Sequence, residues 1–226
     1  MENIQLIQTN DGSSSLLNVA LNETYHSTHG AIQESTHVFI KNGLQFFVEK
    51  NRAASVSVFE VGLGTGLNAL LAILFSEGND IHVDYTSIEV FPIDWGTASQ
   101  LNYPKQLNGE ETQNYFQQFH QTEWNKKIKI TEGFSLLKVK SSIQDFDFSS
   151  NKFDIIFFDA FAPNKQPEMW TLPVLEKIVR AIKSSGLFVT YCAKGQVKRD
   201  LKSLGMVVES LAGPPGKREM VRAIKP

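Results

Sequence analysis

Three short stretches hold residues whose types and spacing suit chemistry. Glu60-Val61-Gly62-Leu63-Gly64-Thr65-Gly66-Leu67-Asn68 places three glycines at alternate positions. Without a Cβ, such a turn can bend tightly and let backbone approach a ligand, and a helix N-terminus behind it offers unpaired N–H groups to an anion. The spacing is G-x-G-x-G, not the G-x-G-x-x-G of dinucleotide sites, which disfavours a nicotinamide dehydrogenase. Ser87-Ile88-Glu89 ends an apolar run on an acid, and a carboxylate so placed can accept hydrogen bonds from both hydroxyls of a ribose. Phe157-Phe158-Asp159 ends another run on an acid; Ala160-Phe161-Ala162-Pro163, Pro167 and Trp170 follow. Each has a plainer alternative: a ligand-free turn for the glycines, a surface acid for Glu89, a helix cap for Asp159, core packing for Trp170.

The elements around these residues decide between the alternatives. From Ala54 onward, strand and helix patterns alternate: VSVFEVG (strand), LNALLAILFSEG (helix), DIHVDYTSIEVFP (strand), KIKITEG (third strand), KFDIIFFDA (fourth), LPVLEKIVRAIKSSG (helix), GLFVTYCA (fifth strand), QVKRDLKSLG (helix). MVVESLAG and REMVRAIK then close as an antiparallel pair, and the Gln- and Asn-rich residues 102–127 read as a helical connector. This alternation predicts an α/β, Rossmann-like domain over 53–226, with a mostly parallel sheet and a C-terminal antiparallel strand. Residues 1–52 form an N-terminal extension. In it, Asn10-Asp11-Gly12 between two apolar runs predicts a hairpin, and the second half of residues 22–50 reads as helix. In such a sheet Gly62, Glu89 and Asp159 all fall at the carboxyl ends of strands, where open α/β sheets bind ligands, so the glycine loop and Glu89 together favour an adenosine-containing ligand.

Composition sets the bounds. With 226 residues, 42% hydrophobic and 20% charged, the chain suits a soluble globular protein. Cys192 is the only cysteine, so no intramolecular disulfide can form. No secretory leader and no run long enough to span a membrane is apparent, so a cytoplasmic location is expected. The net charge is −2, but residues 194–226 carry eight basic and three acidic side chains, hence +5, leaving −7 for residues 1–193. That basic segment can steer a polyanion, or be a solvated helix and strand.

Glu60–Asn68, Ser87-Ile-Glu-Val-Phe-Pro92, Asp159-Ala-Phe-Ala-Pro163 with Trp170, and Gly216-Lys-Arg-Glu-Met220, joined by Asn22-Glu-Thr-Tyr25 and Glu34-Ser-Thr-His37-Val-Phe39, resemble the methyltransferase module of the MnmC family. Ala160 stands where members of that family often carry Gly. The resemblance implies an S-adenosylmethionine-dependent N-methyltransferase that converts 5-aminomethyl-(2-thio)uridine to 5-methylaminomethyl-(2-thio)uridine at the tRNA wobble position. It implies Asp159 as the catalytic residue, orienting the amine or taking its proton. Glu60, Gly62, Gly64, Thr65, Gly66, Asn68, Glu89, Asp159 and Tyr25 would hold the cofactor. Phe161, Trp170, Lys217 and Arg218 would contact substrate, the aromatics by stacking and the cations through phosphate. Many members continue into an FAD-dependent oxidase. This chain has no room for one, so it is expected to act alone on the tRNA anticodon stem-loop, without flavin or metal, on an amine supplied by an upstream enzyme.

Weaker candidates are Glu34, as a second cover over the cofactor, and Glu132, which would reach the adenine from strand three. His26, His29 and His37 are close in sequence but lack the cysteine partners of a familiar metal set. Rival functions are an aminopropyltransferase or small-molecule N-methyltransferase, and a non-catalytic RNA- or nucleotide-binding module. Two carboxylates retained at one sheet edge speak against the last.

Overall fold

The N-terminal run of alternating residues folds back at Asp11-Gly12. The strands β1 (Ile4–Gln8) and β2 (Ser14–Asn18) pair antiparallel, and the two-residue β3 (Glu23–Thr24) adds to β2. Asp11 fixes the turn by accepting from Thr9 Oγ1 (2.7 Å) and from the Ser13 amide (3.0 Å), while Gly12 takes φ of +83°. The structure is a computed structural model that describes residues 4–107, 109–148 and 151–226. A continuous helical rod follows: α1 (Ala31–Ser35), a π-helical stretch (Thr36–Gln45) and α2 (Phe46–Asn51).

Among the described residues the second sheet has eight strands. In chain order these are β4 (Ser55–Val61), β5 (His82–Glu89), β6 (Lys127–Lys129), β7 (Phe134–Lys140), β8 (Phe153–Phe158), β9 (Ile182–Thr190), β10 (Val207–Ala212) and β11 (Glu219–Ile224). They lie in the order β10-β11-β9-β8-β4-β5-β7-β6. Strands β9, β8, β4, β5 and β7 are mutually parallel, while β6 and β11 run antiparallel to their neighbours. Between the strands lie α3 (Leu67–Asn79), α4 (Trp95–Ala98), α5 (Tyr103–Gln106), α6 (Glu110–Gln121), α7 (Leu172–Ala181) and α8 (Gly195–Ser203).

Both faces are buried, as parallel sheets require. Successive residues of β8 point to opposite layers. Phe157 packs with Phe39 (ring centroids 5.2 Å) in the layer that includes the N-terminal rod and α3. Phe158 packs with Trp170 (4.7 Å) and Phe188 (5.3 Å) in the layer of α7 and α8. The chain winds outward from β4 through β5 to β7, then returns to β8 and β9 on the other side of β4. The order reverses at the β4/β8 pair, and a crevice opens outside the carboxyl ends of these two strands.

Two expectations need correction. KIKITEG is not the third parallel strand: β6 is a three-residue antiparallel edge, and the third strand is β7, FSLLKVK. Its pattern is hidden by Lys138, which is buried because its ammonium caps the end of α6, donating to the carbonyls of Phe119 (2.6 Å) and His120 (3.1 Å). The helix predicted to reach Gly186 stops at Ala181. There the Asn151 and Lys152 amides bind the carbonyls of Arg180 and Ala181, and Ile182 turns extended to open β9.

Phe157 joins the rod to the sheet beside the crevice. Phe157→Ala is expected to lower the unfolding free energy by about 3–5 kcal/mol in urea titrations. Glu132→Gln, on an exposed turn, is expected to change it by less than about 0.5 kcal/mol.

Candidate active site

The glycine turn leaves β4 at Val61 and enters α3 at Leu67. Gly62, Gly64 and Gly66 all have positive φ (+88°, +51° and +76°), the left-handed region that favours glycine. Their missing side chains serve different ends. A Cβ on Gly62 would come 2.9 Å from the Asp159 carbonyl oxygen, and one on Gly64 would come 3.1 Å from the Tyr25 ring. A Cβ on Gly66 would collide with the Phe119 ring at 2.2 Å. Gly62 and Gly64 therefore border the crevice, whereas Gly66 accommodates the packing of α6.

Asp159 follows β8 directly, and its amide donates to the Val61 carbonyl (3.1 Å), which locks it beside the turn. One Asn68 amide group serves two acids. Its Nδ2 donates to Asp159 Oδ2 (2.8 Å) and to Glu60 Oε1 (3.0 Å). Ser87 Oγ donates to the other oxygen of Glu60 at 2.7 Å. Glu60 is fully buried, and burial pushes its pKa up to about 8. Asp159 is half-buried with its side chain at the cavity, and desolvation first, then the negative charge of Glu34, raises it to about 7.

Glu89 ends β5 on the other side of the turn. Its Oε2 accepts from the Gly64 amide (3.0 Å) and its Oε1 from the amides of Val90 and Phe91 (2.9 Å each). The N-terminal extension supplies the facing wall. The Tyr25 ring meets the edge of Phe161 (5.2 Å), and Lys165 donates to the carbonyls of Leu21 (2.9 Å) and Asn22 (3.0 Å). His26 is buried, held near a pKa of 4 by desolvation, with Nε2 lying 2.6 Å from Thr65 Oγ1.

These parts enclose a cavity of about 800 Å³, a size typical of small-molecule sites. Gly62, Gly64, Thr65, Glu89, Asp159, Tyr25 and Phe161 line it; Glu60, Gly66 and Asn68 stand behind it. Trp170 lies elsewhere: it is buried against Phe158, and its ring N–H donates to the Phe161 carbonyl (2.8 Å). Lys217 is not free for phosphate, because its ammonium pairs with buried Glu34 and sits 3.8 Å over the Tyr191 ring. Arg218 is exposed. Glu132 is exposed, pairs with Lys129, and lies before β7 at the amino edge of the sheet, away from the crevice. The three histidines separate: His26 faces Thr65, His37 reaches the Ala212 carbonyl, and His29 lies exposed against Gly216. Among the described residues no group of three His, Cys, Asp or Glu is placed to hold a metal ion.

Sequence reasoning missed Phe91, Ile143 and Met169 in the lining. Only Phe91 left a signal. It follows the acid of β5 and stays 77% exposed, an unusual outlay of aromatic surface.

A tight glycine turn, a carboxylate at the end of the next strand and an enclosed cavity at the switch point suit an adenosyl ligand with a charged tail. Glu89 can take the ribose hydroxyls, and Phe91 offers an apolar face to a base. The fold and site define a Rossmann-like α/β methyltransferase.

Comparison with known proteins agrees. Residues 103–226 match the family described as S-adenosyl-L-methionine-dependent methyltransferase. The chain is similar to the tRNA 5-methylaminomethyl-2-thiouridine biosynthesis bifunctional protein MnmC of Marinomonas sp. (29% identity; 88% of this chain, 30% of that protein). It is similar also to the protein of that name from Idiomarina loihiensis (27%; 91% and 36%). It thus spans about a third of the length of these relatives. The crystal structure of MNMC2 from Aquifex aeolicus superposes with a TM-score of 0.73 at 26% identity, over 97% of this chain and 70% of that one. The chain belongs to the S-adenosyl-L-methionine-dependent methyltransferase family, and S-adenosyl-L-methionine is its cofactor.

A carboxyl whose pKa is raised on folding stabilises the protein below its unfolded value, and this contribution is lost as pH rises through the folded value. Glu60 and Asp159 therefore favour folding at lower pH. Buried His26 and half-buried His120, both lowered by desolvation, act in the opposite direction, but only below their unfolded value near 6.5. Between about pH 6.5 and 8 the carboxyls dominate. Urea titrations are expected to show stability falling across that window, and falling less in Glu60→Gln.

Proposed function

We propose that this protein methylates the primary amine of 5-aminomethyl-(2-thio)uridine at the wobble position of tRNA, giving the 5-methylaminomethyl product. The names of the MnmC relatives support the substrate. The observation that carries the chemistry is Asp159: a carboxyl at the switch point, on the cavity wall, held by Asn68 and raised to about 7.

Bound S-adenosyl-L-methionine supplies an electrophilic methyl on a sulfonium. Glu89 and the Gly62–Thr65 turn would hold the ribose and the charged tail, and Val90 and Phe91 the base. Tyr25 and Phe161, edge to face, narrow the cavity, and alignment of the acceptor with the methyl would supply much of the rate. The amine nitrogen would take the methyl with its lone pair, leaving a neutral thioether, and one proton must leave nitrogen before or after transfer.

An alkylammonium has a pKa near 10. Passing its proton to an ordinary aspartate is uphill by roughly 6 units, on the order of 8 kcal/mol. With Asp159 near 7 the gap closes to roughly 3 units, on the order of 4 kcal/mol. Burial thus turns Asp159 into a workable base as well as an anchor for the amine. Glu60, behind Asn68, holds its proton at neutral pH and leaves the negative charge to Asp159. The protein acts in the cytoplasm, on an amine exposed by another enzyme.

The test is methyl transfer from labelled S-adenosyl-L-methionine to tRNA bearing aminomethyl-uridine, read by nucleoside mass analysis. The methylaminomethyl nucleoside is expected, and Asp159→Ala is expected to cut turnover by at least about 10²-fold with cofactor affinity kept. Transfer to free amines but not to RNA would overturn the reading.

A further inference from the structure

Across the Asp159–Pro163 segment from the cofactor cavity lies a second, more open depression of about 490 Å³. The segment is a shared wall. Ala160 and Phe161 face the first cavity, while Ala162 and Pro163 face the second. The N-terminal extension encloses the first cavity through Leu21 and Tyr25, tied down by Lys165. Among the described residues no part of that extension lines the second depression, where Tyr191, Lys194, Lys217 and Arg218 stand with Pro163.

Its charges sort into paired and free. Lys217 is committed to Glu34. Glu219, the one acid in the lining, is held by Lys198 at 2.6 Å. Among the described residues, the exposed cations Lys194 and Arg218 have no ion-pair partner, although Arg218 feels the already paired Glu219. Arg199, whose guanidinium lies beside Gly195 at the start of α8, bonds the neutral Gln196 (2.7 Å) and, among the described residues, has no ion-pair partner. None of the large exposed apolar side chains (Leu6, Val19, Val90, Phe91, Leu172, Val207) lines this depression. The depression is shallow, with a largely apolar floor (Ala162, Pro163, Tyr191, Ala193) and cations around it. That combination suits a nucleic-acid strand, whose phosphates meet the cations while its bases lie on the apolar floor, better than it suits a lipid or an apolar protein face.

We propose that this depression is the RNA port: Lys194 and Arg218 contact phosphates flanking the target nucleotide, whose base passes over Pro163 toward Asp159. This rests on the RNA-amine reading above. It also reassigns Lys217, which acts as a strut between the C-terminal hairpin and the N-terminal extension. Phosphate contacts supply most non-specific affinity and give it a salt dependence that counts them.

The experiment measures binding of a fluorescent, unmodified anticodon stem-loop RNA by anisotropy, from low to moderate salt. The double variant Lys194→Ala/Arg218→Ala is expected to bind about tenfold or more weakly at low salt, with a log–log salt slope shallower by about 1.4–1.8. Lys129→Ala, at the opposite edge of the sheet, removes one exposed positive charge, there paired with Glu132, and is expected to leave the slope unchanged. In turnover, the double variant is expected to raise KM for RNA with kcat retained, and to treat the free aminomethyl nucleoside like the parent. An unchanged slope, an equal loss in Lys129→Ala, or no RNA binding by the parent overturns the port. Port-dependent binding without transfer to the amine would leave the port standing and remove the reading beneath it.

Discussion

The site depends on one side-chain amide. Asn68, on the first turn of α3, donates one N–H to Glu60 at the end of β4 and the other to Asp159 at the end of β8. Two acids so close in a buried place cannot both carry charge cheaply. Sharing a neutral donor between them, with Ser87 closing the far side of Glu60, lets one keep its proton and the other face the cavity as the anion. The glycine turn is what allows this. Any Cβ at Gly62 would press on the carbonyl of Asp159, so the two strand ends can only meet as they do around a glycine.

From that node the remaining architecture follows. The five parallel strands bring Glu60, Glu89 and Asp159 to one edge, and the reversal of strand order at β4/β8 opens the crevice there. The N-terminal extension completes the enclosure, held by His26 at Thr65, Lys165 at the Leu21 and Asn22 carbonyls, and Lys217 at Glu34. Burial sets the ionisation states: neutral His26 against the turn, a protonated Glu60, and an Asp159 poised near neutrality.

What could be read from the sequence was whatever local pattern encodes. The glycine turn, the acids closing β5 and β8, the Asp-Gly hairpin and the alternation of strand and helix all announce themselves within about ten residues. What could not be read was set at long range. Lys138 looks like a break in a strand until α6 supplies two carbonyls for it to cap. Lys217 looks like a free cation until Glu34, 183 residues away in sequence, takes its charge. Trp170 looks like an aromatic offered to a base until β8 turns Phe158 toward it. Gly66 reads as a third ligand glycine, yet its space belongs to Phe119.

The most direct measurement is a crystal structure of the protein with S-adenosylhomocysteine and a short RNA carrying the aminomethyl-uridine. The account predicts the ribose hydroxyls on Glu89, the amine within hydrogen-bonding distance of Asp159 and in line with the sulfur, and Asn68 still bridging Asp159 and Glu60. A cofactor seated in this cavity with the amine held elsewhere, or Asp159 turned from the acceptor toward the cofactor alone, would contradict it.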